Sequence, residues 1–204
     1  MSSRLIALAP FVLAASSCLI GCASEGGTTK ASSSTNEAEM MANWTAFMTP
    51  GPEHKLLESK VGNWNTHMKW WMAPGTPAQE SDGTSEVTWV MGGRYLHEAA
   101  HGSAMGQPFE GAGVTGYDNL KKKYVGGWID NMGTGVTMSE GTYNPSTKAF
   151  TYTSSGPDAM VTKYVPLRFV ETMVDANSRK IDWYGPDANG KEFKMMELTY
   201  TRAK

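Results

Sequence analysis

From residue 63 onward the apolar positions recur every second residue rather than every third or fourth. Residues 63–73, 84–91, 94–104, 108–117, 122–131, 136–143, 148–154, 161–174, 180–185 and 192–202 alternate or run apolar over strand lengths, and turn residues punctuate them. Ahead of them, "PEHKLLESKVGNW" places Leu56 and Leu57 in a short helical stretch that Gly62 stops. Ten strands with no helix long enough for a parallel crossover predict an antiparallel meander. Successive hairpins in that number tend to close, because closure removes exposed edges. The pattern therefore predicts an all-β, up-and-down antiparallel barrel of about ten strands with a short N-terminal helix near its mouth.

A weak repeat marks the connectors. "GYDNLKKKYVG", "TYNPSTKAFTY", "MVDANSRKIDW" and "GPDANGKEFKM" each begin near an Asp or Asn, pass through small or turn-forming residues, and reach a Lys before an aromatic or apolar strand start. Asn144-Pro145 suits a type I turn, and Asn189-Gly190 suits a tight hairpin.

The N-terminal stretch has a different character. Arg4 precedes an apolar run, Leu5 to Ile20, that Pro10, Ser16 and Ser17 interrupt, so it reads as an export signal rather than a membrane span. "LIGC" at Leu19 to Cys22 resembles a bacterial lipobox, which implies cleavage before Cys22 and acylation of its thiol. That reading assigns residues 1–21 to a lipoprotein signal peptide, 22–44 to the lipidated Cys22 and a flexible tether, and 45–204 to a single barrel domain. Cleavage also removes Cys18, so no disulfide is expected. The Ser-, Thr- and Gly-rich stretch 23–39 would reach on the order of 25 Å. Ala23 is not the Asp associated with inner-membrane retention, so the expected location is the cell envelope, at the periplasmic face of the outer membrane.

Charge narrows the partners. Eighteen basic residues against 20 acidic ones provide no broad positive field, which argues against nucleic acid. Seven Trp and 14 Met suit either a plain core or an irregular apolar cavity.

"HEAAH", residues 97–101, fits the H-E-x-x-H zinc protease pattern letter for letter. That chemistry needs a helix, where the two His ligands sit one turn apart. Only eight residues separate Gly93 from Gly102, and the neighbours read as strand. On a strand His97 and His101 stand roughly 13 Å apart, and Glu98 points to the opposite face. Ala104 also replaces the Gly of the extended metzincin pattern. No metal and no cofactor are expected. "NMGTGV", 131–136, lacks the Lys-Ser/Thr ending of a phosphate loop and reads as a hairpin turn. A Gly-x-Ser-x-Gly elbow is absent, and Cys22 is committed to lipid, so no covalent nucleophile stands out.

Strand parity selects the candidate lumen residues. Trp64, Trp70, Trp89 and Trp128 are candidate wall material. Asp130 shares a face with Trp128, Glu171 with Leu167, Phe169 and Met173, and Glu197 with Phe193 and Met195. Interior carboxylates need partners, for which Arg94 and Arg168 are the expected cations. Glu197 has an alternative, because Met196, Leu198 and Tyr200 make the opposite face of its strand equally apolar. His67 shares its face with Asn65, Lys69 and Trp71, which marks the outside.

"TPGPEHKLLESKVGNW", "GGRYL", "MGQPFEGAGVTGYDNLKKKYVGGWIDNMGTG", "SEGTYN" and "GKEFKMMELTYTR" together resemble the bacterial family known as domain of unknown function 1579, over about residues 45 to 202. The resemblance implies a lipocalin-like (calycin) barrel and supplies no reaction, cofactor or catalytic residue.

Three functions stay open. The leading one is a lipid-anchored barrel that binds a small, partly apolar ligand. The others are a protein-interaction module with a filled barrel, and a non-metal enzyme using Asp130, Glu140 or Glu197 as acid or base. Fold alone does not choose between them, and the oligomeric state is open. For the anchor, Cys22→Ser is expected to abolish labelling by a fatty-acid analogue and to leave the precursor uncleaved. Normal processing of that variant would remove the lipoprotein reading.

Overall fold

The two-residue alternation becomes ten antiparallel strands in the computed structural model, which describes residues 30–158 and 161–204. The strands are β1 (Gly62–Trp70), β2 (Gln79–Val90), β3 (Tyr95–Ala104), β4 (Gln107–Asp118), β5 (Lys123–Asp130), β6 (Thr137–Asn144), β7 (Ala149–Asp158), β8 (Lys163–Met173), β9 (Ser178–Pro186) and β10 (Glu192–Arg202). Each pairs with its sequence neighbours, and β1 pairs with β10 to close the barrel. The expected lipobox and signal peptide, residues 1–22, lie outside the described residues.

The chain divides into two units between Met41 and Ala42. Helix α1 (Lys30–Met48) occupies much of the stretch that composition assigns to a flexible tether. Ala, Glu and Met are strong helix formers, and the Ser and Thr among them do not prevent the helix. Within the second unit, α2 (Pro52–Leu56) and a 3-10 turn (Leu57–Lys60) precede β1. Pro52 at the first helical position is pre-set for a helix start.

The connector repeat has a physical basis in side-chain acceptors that close the turns. Asp118 Oδ1 accepts the N–H of Leu120 and Lys121, Asn144 Oδ1 that of Ser146, Asp175 Oδ1 that of Asn177, and Asp187 Oδ1 those of Asn189 and Lys191. Asp and Asn are favoured here because the short side chain reaches the backbone two residues on. Residues 131–136 link β5 to β6 as the expected hairpin connector.

These pairings fix which rows face inward. Trp64 and Thr66 of β1 lie opposite Arg202 and Tyr200 of β10. Glu98 of β3 lies opposite Gly113 of β4, which lies opposite Trp128 of β5. The outward rows of β1 and β2 carry Asn65, His67, Lys69, Glu80, Asp82 and Glu86, a polarity suited to water.

The barrel is packed at one end. Leu57 from the 3-10 turn is 0% exposed and Trp64 is 1% exposed, and they join Val87, Leu96, Tyr124, Phe150, Tyr152 and Tyr200 in the core. The Trp64 indole N–H donates to the Lys60 carbonyl at 2.9 Å, which ties the helical cap to β1. Around the same end, the Asn119 amide donates to the carbonyls of Ala46, Phe47 and Thr49, and the Arg94 Nε–H donates to that of Met48.

Toward the other end, two glycines make room for an aromatic ring. A Cβ on Gly111 would stand 2.4 Å from Trp128 Cζ2, and one on Gly113 would stand 2.7 Å from Trp128 Cε3, so the indole lies directly against bare backbone of β4. Gly113→Ala is expected to lower stability by about 1–3 kcal/mol through overpacking. Gly133→Ala, with open space around its Cβ, should stay near wild type when both variants are compared by urea unfolding.

Candidate functional site

The interior of the barrel holds a floor of charge beneath a half-open lumen. Lys60 Nζ donates to Glu171 Oε2 at 2.5 Å, and Arg179 Nη1 donates to Glu171 Oε1 at 2.7 Å. Arg179 Nη2 reaches Glu98 Oε1 at 3.3 Å. The same Glu98 oxygen accepts the Ser85 hydroxyl at 2.6 Å and the Tyr200 phenol at 3.0 Å. Aromatic faces cover the cations: the Lys60 ammonium sits 4.0 Å from the Phe150 ring centre and the Arg179 guanidinium 3.6 Å from that of Tyr200.

The titration behaviour follows from who neighbours whom. Burial pulls the Lys60 ammonium below its usual range, since Glu171 only partly compensates and Arg179 repels it. Burial alone would push the Glu171 carboxyl up, but Lys60 and Arg179 together reverse this and hold it below the usual carboxylate value. Arg179 loses from desolvation and gains more from Tyr200, Glu98 and Glu171, so it stays charged. Burial, then Glu98, drives the Tyr200 phenol well above its ordinary value and keeps it a donor.

Above this floor the inward rows are unequal. One wall is a ladder of stacked rings, with Tyr152 and Phe169 centred 4.7 Å apart, as are Phe169 and Trp183. The facing wall, from β2 to β4, is built of small residues: Gly83, Ser85, Ala100, Gly102, Gly111 and Gly113. Inward residues near the floor are almost inaccessible. Those of the open half, among them Met68, Trp70, Trp128, Leu167, Trp183 and Met196, are only half-buried.

The sequence candidates separate accordingly. Trp64 and Trp89 pack into the closed end. Trp70 and Trp128 face the open half, and Asp130 Oδ2 accepts the Trp128 indole N–H at 2.9 Å, so Asp130 orients the ring. Glu171 is interior, but its partners are Lys60 and Arg179. The expected cations lie elsewhere: Arg168 pairs with Glu192, and Arg94 donates to the Met48 and Met91 carbonyls. Glu197 is outside, bonded to Lys194 at 2.6 Å. A register shift between Lys194 and Met196 inserts one residue into β10, so Glu197 loses the face of Phe193 and Met195. Glu140 is also outside, paired with Lys121 and Lys123. Asp130, Glu140 and Glu197 are therefore not brought together. His97 and His101 lie on β3, facing outward in the row of Tyr95 and Ala99, and His67 lies outside against Asp82 at 2.8 Å.

Sequence reasoning missed Lys60, Glu98, Arg179 and the aromatic ladder with Trp183. Glu98 was detectable, since it shares parity with Leu96 and Ala100. Arg179 was concealed in a connector, because β9 begins at Ser178 rather than at 180.

A family model described as "Protein of unknown function (DUF1579)" matches residues 49–202. No curated protein matches the chain. Among solved structures the chain is similar to Rv2717c from M. tuberculosis, at 14% identity and a TM-score of 0.58, over 76% of this chain and all of that one. It is also similar to the S-type phycobiliprotein lyase CPES from Guillardia theta, at 12% identity and a TM-score of 0.50, over 76% of this chain and 99% of that one. Both likenesses establish the lipocalin-like barrel fold.

The charged floor carries a prediction. Glu171→Gln leaves two buried cations without their shared carboxylate and should cost about 3–5 kcal/mol in urea unfolding at pH 7. Because the Glu171 carboxyl is held below its usual value in the folded state, its contribution is full above the unfolded pKa near 4.5 and fades as pH falls through the folded one. The gap between wild type and variant should therefore narrow below about pH 4. A gap that does not change with pH would contradict the assignment.

Proposed function

We propose that this chain, which belongs to the DUF1579 family of proteins of unknown function, binds a small, partly apolar molecule in the open half of its barrel. The observation that carries this reading is the contrast in burial along one inward surface. A barrel filled by its own side chains seals inward residues at every level. Here Leu57, Trp64 and Phe150 at the floor are at most 1% exposed, whereas inward Trp70, Trp128 and Trp183 keep contact with solvent. A barrel with stacked rings on one wall and glycine, alanine and serine on the other has the makings of an apolar cavity with few polar groups, the usual form of a small-ligand site.

The reading includes a location. With an export signal and a lipid on Cys22, the barrel sits in the cell envelope, and its partners are the membrane through that lipid and the ligand through the lumen.

The test uses an uncharged, environment-sensitive dye. Nile red is expected to bind saturably at close to one molecule per chain and to quench Trp fluorescence. Trp128→Ala should weaken dye binding by about 1–3 kcal/mol, the scale of one large apolar side chain. If the barrel is instead filled, Trp128→Ala should cost about 3–5 kcal/mol of stability, with no saturable binding by the wild type. That outcome would favour an interaction module.

A further inference from the structure

Of the four charged groups at the floor, only Glu98 is reached from the lumen. Its side chain is 20% exposed, against 6% for Glu171, 5% for Lys60 and 2% for Arg179. Glu98 points inward between Leu96 and Ala100, so this exposure opens into the barrel rather than through its outer face. Beside it, Gly113 directly opposite and Ala100 and Gly111 one step toward the mouth carry at most a methyl group, and the bulky neighbour on that side is the Trp128 indole lying over Gly111 and Gly113.

The two oxygens of Glu98 are used unequally. Oε1 accepts from Ser85, Arg179 and Tyr200. Among the described residues Oε2 accepts no hydrogen bond, although a carboxylate has about four lone-pair sites. The side chain is part-exposed, so this oxygen is free to take a donor from the lumen in place of water.

Charge sets the kind of donor. Both floor cations are already engaged by carboxylates and lie behind Glu98. Arg179 Nε is without a partner, but the side chain is 2% exposed and out of reach of the lumen. Between the floor and Asp130 the inward rows contain no Lys or Arg among the described residues. Past the rim, where Lys163 begins the inward row of β8 opposite Asp158, a carboxylate would meet Asp130 and then Glu98 before either floor cation. An ammonium or hydroxyl group would meet an acceptor.

Building on the reading of the lumen as a ligand cavity, we propose that the ligand is an apolar, ring-sized molecule bearing an amine or hydroxyl group that donates to Glu98 Oε2. The site discriminates against the carboxylic acid of the same skeleton.

Three probes of one skeleton test this on the full-length protein at pH 7 by displacement of Nile red: 2-(1-naphthyl)ethylamine, 2-(1-naphthyl)ethanol and 1-naphthylacetate. The amine and the alcohol should each displace the dye at concentrations at least tenfold below that needed for the acid. Glu98→Gln, which keeps the shape but removes the charge, should weaken the amine about tenfold and move the alcohol little. The ranking in the wild type decides the matter even if that variant folds poorly. Saturable dye binding with the acid displacing as well as the amine would overturn the head-group assignment and leave the cavity standing. Absence of saturable Nile red binding would remove the cavity and the assignment with it.

Discussion

Glu171 lies between Lys60 and Arg179 with all three side chains nearly out of water, and the rest of the barrel is arranged around that fact. Each ion gives up several kcal/mol of hydration on burial, so the cluster is tolerable only if every charge finds an opposite one and polar atoms are largely satisfied. The chain meets this demand with parts from distant places: Lys60 from the helical cap, Glu171 from β8, Arg179 from β9 and Glu98 from β3. Ring faces of Phe150 and Tyr200 close over the cations. Charge balance thereby holds the cap against the end of the barrel, and Leu57 and Trp64 seal that end.

Once one end is committed to ions and packed rings, the polarity of the other follows. Large aromatic residues concentrate on β7, β8 and β9, where Tyr152, Phe169 and Trp183 stack across neighbouring strands. Small residues concentrate on β2, β3 and β4, where Trp128 of β5 is the main occupant and is held in place by Asp130. The space over Gly111 and Gly113 is taken by the Trp128 indole. The inward surface there is made of stacked rings, the Trp128 indole over bare backbone, and the carboxylates of Asp130 and Glu98. Specificity in such a space comes from its few polar groups, while affinity comes from apolar contact.

Much of the fold is legible along the chain because each strand needs only its own alternation, and each hairpin carries its own Asp or Asn acceptor. The inward direction of Trp128 and Glu171 is legible in the same local parity. The failures share a physical cause, which is that a face is a property of pairing rather than of one strand. The irregularity at Met195 reverses the parity of β10, so Glu197 reads as interior and lies outside. Arg179 sits where a turn signal runs into a strand, and Lys60 belongs to a helical cap whose insertion depth no local pattern encodes. The partners of Glu171 are 111 and 8 residues away in sequence, and neither is visible from its strand. Glu98 was dismissed with the zinc motif around it, although the strand geometry that separates His97 from His101 is what turns Glu98 inward.

Closure by β1 and β10 has a kinetic side. Nine of the ten strand pairings join neighbours in sequence, and only the pairing of Trp64 through Trp70 with Met196 through Arg202 brings together opposite ends of the domain. Hairpins form by closing short loops, whereas this seam closes one tens of times longer, at an added entropic cost on the order of 3 kcal/mol. The non-local part of the contact order is thus concentrated in a single edge-to-edge event, where two otherwise unpaired strands wait for each other. Topology of this kind makes the seam the slow step of assembly and the place where an unfinished barrel presents sticky edges to another copy.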